Sequence, residues 1–387
     1  MPRPIATGKS RAGTRRARLP RLGGHRRRGS LAQQAWGECT LPGLAVPSRL
    51  SEATDAYERP FAVLHTPARG LLTMVFAVER DDEVLLDDTA AHGWVSHWTE
   101  RLAPLGRDAG AVAASVTLDR ALVPDRERAG VENGPAAPVN VWVGLTFAAS
   151  RPSRRRAASS AVQLMTALGG RLPAITERLR GASGQAARPV GAQELCEMVR
   201  GAYDYEAGRV IEEAYRAGST AKLTWSDVGP ASEGTSSGAY RHDGSVSAVW
   251  AMSASAARQL DRSTLVDVLG GVGARTRMTV LYRMVGEGLA ARMAEADRRS
   301  LPWRVDGSPA SIRAAGLTCW GLLLTATGEG ERLVGDLEQL LDDLPASVRI
   351  ALRRVQASEG GAFAAGLPLA LALAEQLELP RRGRRPR

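Results

Sequence analysis

One Asp-Gly pair constrains the fold of this chain more than any other sequence feature. Asp243 and Gly244 separate two runs in which apolar and polar residues alternate, AYRH before the pair and SVSAVWAM after it. Alternation with a period of two is typical of β-strands, and Asp-Gly tolerates the positive φ angles that a two-residue hairpin turn requires. The sequence therefore predicts an antiparallel hairpin, with His242 beside the turn and exposed to solvent.

A similar hairpin is predicted in the first half of the chain. The β-rich runs FAVLH and LLTMVFAVE flank TPARG, whose proline and glycine favour a turn. An amphipathic helix over residues 88–102 follows, because one apolar stripe recurs at helical spacing, and Pro104 ends it. The stripe consists of Ala90, Trp94, Trp98 and Leu102. Two further strands, AVAASVTLD and VNVWVGLTF, complete the order β-β-α-β-β.

The second half repeats this succession. After the Asp-Gly hairpin, RMTVLYRMV predicts a strand, GLAARMAEADRR a helix and LTCWGLLLTAT another strand. A helix over ERLVGDLEQLLDDL, a strand over SVRIALRRV and a helix near Ala362 follow. Because hairpin, helix and strand recur in both halves, the sequence predicts an α+β fold built from two related modules of the ferredoxin-like type.

These patterns divide the chain into five segments. The segment between the modules is predicted to be helical, because its apolar residues recur at helical spacing through AQELCEMVRGAY and GRVIEEAYRAG. The segments are a disordered basic tail with a linker (1–47), the first α+β module (48–150), the helical insert (151–222), the second α+β module (223–376) and a basic C-terminal tail (377–387).

Basic residues are concentrated at the two ends of the chain. Residues 1–30 hold ten of them and no acidic residue, and residues 381–387 hold five arginines, so the rest of the chain is mildly acidic although the formal net charge is +10. Such clustered arginines could bind polyanions, with an affinity that falls as salt is added. The same composition is also typical of a disordered tail that is simply solvated. The candidate contacts for an anionic membrane or nucleic acid are Arg15, Arg16, Arg18, Arg26, Arg27, Arg28, Arg381, Arg382, Arg384 and Arg385.

Two candidate catalytic arrangements lie around the hairpin. His242 and Asp243 could transfer protons, but neighbouring strand residues point to opposite faces of a sheet. GTSSG, residues 234–238, matches the G-x-S-x-G nucleophile elbow around Ser236. That motif requires a preceding strand, a following helix, and a later acidic residue that is in turn followed by a histidine. Here a polar loop precedes the motif, a strand follows it, and His242 is the last histidine. The sequence therefore favours a hairpin and a flexible loop, and we predict no catalytic residue.

Motifs for nucleotides and metals lack the required spacing. ATGKS, residues 6–10, ends like a P-loop, but Arg3 occupies the place of its first glycine. His92 and His97 flank tryptophans on the predicted helix, which favours packing roles over metal binding. The cysteines form no zinc-ligand cluster, and their wide separation fits a reducing compartment. They are Cys39, Cys196 and Cys319. We predict neither a cofactor nor a metal site.

No segment of the sequence predicts a spanning helix. The longest uncharged stretch, residues 360–374, contains Pro368 and is shorter than the roughly 20 apolar residues that cross a bilayer. On composition alone the chain is expected to be soluble.

Six phrases of the sequence resemble a known protein family in their order and spacing. They are RPFAVLHTPARG (59–70), LTWSDVGP (223–230), AYRHDG (239–244), EADRR (295–299), LLLTATG (322–328) and AFAAGLPL (362–369). The family comprises actinobacterial integral membrane proteins of conjugation loci, found with a PrgI-like membrane protein and a VirB-type transfer ATPase. The resemblance extends over residues 40–376.

This resemblance implies a noncatalytic role. Members are similar to the N-terminal, non-motor region of type IV secretion ATPases, a paired α+β module that docks on the inner-membrane complex. The implied partners are the transfer ATPase and the small membrane protein, at the cytoplasmic face of the membrane. This sequence departs from the family where two N-terminal transmembrane helices are usual, so we expect peripheral attachment, to which the basic tails could contribute.

Three other functions remain compatible with the sequence. A type VII-like secretion component would show the same composition and the same lack of catalytic motifs. A serine hydrolase would use Ser236 with His242 and Asp243. A nucleic-acid-binding protein would act through its basic tails and lose affinity steeply as salt is added.

Overall fold

The computed structural model describes most of the chain between residues 34 and 371. The described residues are 34–78, 94–108, 110–120, 139–148, 157–180, 186–220, 222–236, 238–257, 275–284, 310–312, 317–330, 332–342, 344 and 346–371. Residues 1–33 of the predicted N-terminal tail, the predicted C-terminal tail, His92, the P-loop-like ATGKS and the helix expected over GLAARMAEADRR lie outside these residues.

Strands and helices are interspersed along the described chain. The strands are β1 (Gln34–Cys39), β2 (Ser48–Thr54), β3 (Pro60–Thr66), β4 (Leu71–Val78), β5 (Ala111–Arg120), β6 (Val139–Ala148), β7 (Ala187–Pro189), β8 (Glu233–Ser236), β9 (Ala239–His242), β10 (Ser245–Ser253), β11 (Arg275–Met284), β12 (Ala310–Ile312), β13 (Leu317–Gly328) and β14 (Arg353–Arg354). The helices are α1 (Trp94–Asp108), α2 (Ala157–Leu179), α3 (Ala192–Tyr203), α4 (Tyr205–Arg216), α5 (Ala254–Ala257), α6 (Arg332–Asp342), α7 (Ala346–Ala351) and α8 (Glu359–Ala365), with a 3-10 turn at Trp225–Asp227.

The strands form one large antiparallel sheet. Its main path runs β1-β2-β3-β4-β6-β5-β11-β13-β10-β9-β8, and three short strands pair beside it, β7 with β4, β12 with β13 and β14 with β10. This mixture of helices with an antiparallel sheet agrees with the predicted α+β class. The ferredoxin-like arrangement of its modules is not confirmed.

The two halves of the sheet have the same strand order. From the outside to the centre, the first half reads β3-β4-β6-β5 and the second reads β9-β10-β13-β11. Among the four strands of each half, the last one along the chain lies between the second and the third. A short strand then returns to the second strand of each hairpin: Pro189 of β7 pairs with Phe76, and Arg354 of β14 pairs with Trp250.

The halves meet at the pairing of β5 with β11. When Phe76 and Trp250 are taken as equivalent, the strand pairings make Thr117 equivalent to Thr279. These two threonines lie opposite each other, and their Oγ1 atoms are 2.9 Å apart. An approximate two-fold axis of the sheet therefore passes between Thr117 and Thr279.

Each face of the sheet carries a hydrophobic core that draws on both halves. The first core packs under α1 and α2 and includes Trp98, Leu102 and Leu172. The second core packs under α3 and α8 and includes Leu195 and Phe363. Burial of apolar area on both faces is the main stabilising contribution, at about 25 cal/mol per Å². Helices on both faces of a sheet give a three-layer architecture.

The structure differs from the predicted elements in four places. Helix α1 continues to Asp108 with Pro104 inside it, instead of ending at that proline. Residues 347–355, predicted as one strand, form most of α7 and then β14. The first strand begins at Gln34, inside the segment predicted as tail and linker. The polar loop predicted before Ser236 is strand β8.

The predicted helical insert contains helices and one short strand. AQELCEMVRGAY forms α3, and α4 covers most of GRVIEEAYRAG, as the spacing of their apolar residues predicts. Strand β7 lies before α3 and pairs with β4, so the insert takes part in the sheet of the first half. Arg188 and Glu194 form an ion pair at 2.6 Å between β7 and α3.

Candidate functional site

Four of the six family-like phrases come together on the second-core face of the sheet. Phe363, from AFAAGLPL, has its ring centroid 4.8 Å from that of His242 and 5.4 Å from that of Tyr240, both from AYRHDG. Thr327, from LLLTATG, contacts Ser247, which in turn contacts His242. Arg200 links the remaining phrase, LTWSDVGP, by donating from Nη1 to the carbonyl O of Gly229 at 2.8 Å. We call this group the His242 cluster.

The imidazole of His242 is held by two hydrogen bonds inside the sheet. Its Nδ1 donates to the carbonyl O of Tyr203, so in the neutral ring Nε2 accepts from the Ser247 hydroxyl, at 2.7 Å. The Oγ of Ser247 lies 2.7 Å from Oγ1 of Thr327. His242 is 1% exposed and Ser247 is 0% exposed, so the predicted exposure of His242 is wrong. A serine and a histidine are in contact here, but no substrate can reach them from solvent.

Burial, with a smaller contribution from the nearby Arg277 guanidinium, lowers the pKa of His242 from 6.5 to about 4. The Tyr203 carbonyl and the Asp243 and Asp204 carboxylates act in the opposite direction with smaller effect. His242 is therefore neutral near pH 7. A neutral, buried, doubly hydrogen-bonded imidazole positions the end of β9 against α3, which is a structural role.

Asp243 is the turn residue that the Asp-Gly pair predicts. Its φ is 50°. The residues on either side of the Asp243-Gly244 turn, His242 and Ser245, pair with each other across β9 and β10. Its carboxylate accepts from the amides of Ala231 and Ser232 at 2.8 and 3.1 Å. It also forms an ion pair with Arg200, with 3.1 Å between Oδ2 and Nη2. The Asp243 carboxylate thus fastens the turn and does not orient His242 for catalysis.

Ser236 lies on the other face of the sheet from His242. Ser236 pairs with Ala239 in β9, whereas His242 pairs with Glu233 in β8. Directly paired residues share a face, and Ala239 and His242 are an odd number of positions apart on one strand, so they point to opposite faces. The strand that follows GTSSG also replaces the helix that a nucleophile elbow needs.

We expect no serine-hydrolase chemistry at Ser236. The full chain, incubated with a fluorophosphonate probe, should show no labelling that disappears in Ser236→Ala, because His242 is on the far face and hydrogen-bonded to Ser247. A matched control is Ser247→Ala, which should be equally unlabelled because Ser247 is buried. Labelling that is specifically lost in Ser236→Ala would contradict this assignment.

A buried charged group that the sequence reasoning missed lies next to the His242 cluster. Asp119 of β5 is 2% exposed and accepts from Arg275 with both oxygens, at 2.9 Å from Nε and 2.5 Å from Nη2. Arg277 is 2% exposed, and its guanidinium carbon lies 4.6 Å from the ring centroid of Phe363. Within the described part of the chain, Nε and Nη2 of Arg277 have no hydrogen-bond partner. Burial lowers the pKa of Arg277 to about 10, so it remains a cation at neutral pH.

The sequence contains a signal for this group. In RTRMTVLYRM the even-numbered residues from Met278 to Met284 are apolar and form part of the first core, so Arg275 and Arg277 must point to the other face. That face is also covered, by α8 and the chain that follows it. Arginines in a strand whose two faces are both buried indicate an internal charged group.

The other candidate residues have structural surroundings. Arg101 Nε donates to His97 Nε2 at 3.0 Å, and the His97 ring meets Trp98 edge-on. Cys39 and Cys196 are free thiols. In the part of the chain that the structure describes, no three His, Cys, Asp or Glu side chains are placed to hold a metal ion. The ten terminal arginines lie outside the described residues.

A surface cleft of about 310 Å³ lies on the first-core face beside β8. Its polar lining is Ser236, Arg241 and Arg354, and Ala239 and Val246 contribute to its apolar lining. Arg354 forms an ion pair with Glu338 of α6 at 2.5 Å. The cleft differs from the His242 cluster in that solvent reaches it.

None of the helices that the structure describes has both the length and the apolar content needed to cross a bilayer. Comparison of the sequence with family models and with curated proteins found no match.

Proposed function

We propose that this protein is a noncatalytic scaffold or adaptor of a type IV secretion-like, conjugative transfer apparatus, attached peripherally at the cytoplasmic face of the membrane. Its partners in this proposal are a VirB-type transfer ATPase and a small PrgI-like membrane protein. The basic tails would add attraction to anionic lipid, at roughly 1 kcal/mol for each well-placed charge.

The convergence of the family-like phrases is the observation that supports the proposal. Phrases scattered over residues 223–369 meet in the His242 cluster, where they bury a histidine, fix a turn and pack an aromatic ring. Within the cluster, residues from four of the six phrases pack and hydrogen-bond with one another, which is what a scaffold would require. A family whose shared phrases maintain a scaffold is expected to contribute binding surfaces.

The repeated strand order gives further support. We infer that the two halves are related modules, because the order of four strands, the returning short strand and the central register all recur. A paired α+β module is what the resemblance to the non-motor region of transfer ATPases implies. Such a module would dock on its partners through surfaces that both halves provide.

Purification of the tagged protein from its native membranes tests this proposal. We expect the transfer ATPase and the small membrane protein to co-purify in mild detergent. Replacement of the ten terminal arginines by glutamine should weaken membrane association at low salt but leave ATPase co-purification unchanged. If the ATPase and the small membrane protein co-purify with each other but without this chain, the proposal is wrong.

A further inference from the structure

The cleft beside β8 is an unassigned site with a cationic lining. Ser236 pairs with Ala239, and Arg241 pairs with Val246, so these four side chains point to the same face of the sheet. Arg354 reaches the cleft from β14 and lies over the ring of Trp250, with its guanidinium carbon 6.0 Å from the ring centroid. Among the described residues that line the cleft, none is acidic.

The first half of the sheet has the same strand order without arginines at the equivalent positions. Thr73 pairs with Leu64 in the first hairpin as Ser247 pairs with Tyr240 in the second, which makes His65 the equivalent of Arg241. The equivalent of Arg354 is Pro189. Both halves form the same returning strand, although only the second has two guanidinium groups at these positions. The arginine pair is therefore a candidate for function.

We propose that this cleft binds the phosphate group of a small phosphorylated molecule. Two guanidinium groups supply fork-shaped donors that match phosphate oxygens, and the Ser236 hydroxyl supplies a further donor. A volume of about 310 Å³ is at the small end of ligand sites, which suits a phosphate or diphosphate group with little attached to it. This site goes beyond the proposed scaffold function and does not depend on it.

Glu338 provides an internal test of the charge argument. Its carboxylate is 51% exposed and holds Arg354 by an ion pair, so it competes with an incoming anion for the same guanidinium. Removing that negative charge should strengthen phosphate binding, whereas removing either arginine should weaken it. Opposite effects from neighbouring residues are not expected from a general change in folding.

Isothermal titration of the full chain with pyrophosphate, and separately with inorganic phosphate, tests the proposal. We expect saturable binding that weakens about tenfold in Arg241→Met and in Arg354→Met, since each removes charge-assisted hydrogen bonds. Binding should strengthen about threefold in Glu338→Gln. Arg216→Met, which removes an exposed arginine on α4, is the matched control and should bind as the wild type does.

Three outcomes would overturn the proposal. The first is that neither pyrophosphate nor phosphate binds. The second is that binding occurs but is equally affected by Arg241→Met and Arg216→Met, which would assign it to general surface charge. The third is binding only to phosphatidylglycerol vesicles, with dependence on Arg241, which would make the ligand a lipid headgroup. Arg354→Met also removes the contact with Trp250 and could fail to fold for that reason. In that case the binding measured for Arg241→Met alone tests the proposal.

Discussion

Replacing Arg275 by methionine should destabilise the protein by about 3–5 kcal/mol, whereas the same replacement of Arg277 should leave its stability unchanged or raise it. The two arginines are on one face of β11, two positions apart, and both are largely buried. They differ in their partners. This difference, and not the number of buried charges, determines the expected effect.

Arg275 is the counter-charge of Asp119. It donates two hydrogen bonds to the Asp119 carboxylate and a third, from Nη1, to the carbonyl O of Gly201 at 2.7 Å. In Arg275→Met the Asp119 carboxylate would be left almost fully buried with neither of these bonds. A buried charge that loses its partner carries the whole desolvation cost, which is why breaking such a pair is so destabilising.

Among the described residues Arg277 forms no hydrogen bond to a carboxylate, because both oxygens of Asp119 accept from Arg275. Its guanidinium contacts Phe363, and two of its nitrogens find no hydrogen-bond partner among the residues that the structure describes. Methionine has a similar length and would keep the aliphatic packing against Phe363. Replacing a buried ion pair by well-packed apolar residues is often neutral or stabilising by about 1–4 kcal/mol, and Arg277 has fewer favourable contacts to lose than a member of such a pair.

Urea unfolding at pH 7, followed by far-ultraviolet circular dichroism, measures both variants. The double variant Arg275→Met/Asp119→Asn is the control, because it removes both charges and should recover much of the lost stability. If Arg275→Met and Arg277→Met destabilise the protein equally, the distinction between the two arginines is wrong. If the double variant does not recover stability, the loss in Arg275→Met comes from the lost packing of the arginine side chain and not from the unpaired charge of Asp119.

The strand pattern could be predicted from the sequence because it depends on local alternation. Asp243-Gly244 indicated a hairpin, and apolar alternation indicated β5, β6, β10, β11 and β13, all of which the structure contains. Strand β8 could not be predicted in this way, since its residues EGTS have low β propensity. It is a strand because β9 offers it an unpaired edge, which is a tertiary effect.

The burial of His242 could not be predicted for a related reason. A residue beside a two-residue turn is normally exposed, and nothing in AYRHDG indicates otherwise. Here the Tyr203 carbonyl at the end of α3 accepts a hydrogen bond from Nδ1 of the ring, and α8 places Phe363 against it. Both partners are distant in sequence, so only the folded chain brings them to His242.

Pro104 is tolerated within α1 by similar tertiary support, because Leu102 and Leu105 on both sides of it are buried.

Lowering the pH from 7 to 4 should remove about 3 kcal/mol of stability through His242 alone. In the unfolded chain this histidine takes up a proton below its ordinary pKa of 6.5, whereas in the folded protein it does so only near pH 4. Between these values the unfolded state binds more protons, so stability rises with pH. The contribution is complete above pH 6.5 and is lost progressively as the pH falls. The size follows from about 1.4 kcal/mol for each pKa unit.

The measurement is the free energy of unfolding at a series of pH values from 7 to 4, for the wild type and for His242→Gln. Glutamine can accept from Ser247 but does not titrate, so the variant should be less stable at pH 7 and should lose less stability on acidification. His65→Gln is the matched control, because His65 is partly exposed and its pKa is lowered less strongly by burial. Its pH profile should stay close to that of the wild type.

Other groups also titrate over this range, so the comparison rests on the difference between profiles. Carboxylates and the remaining histidines are the same in the wild type and in His242→Gln, and their effects cancel to first order. A His242→Gln profile parallel to that of the wild type from pH 7 to 4 would mean that the imidazole is not buried in its neutral form. The packing of α3 and α8 over β9 would then need a different arrangement, since a charged ring facing Arg277 would require a compensating anion.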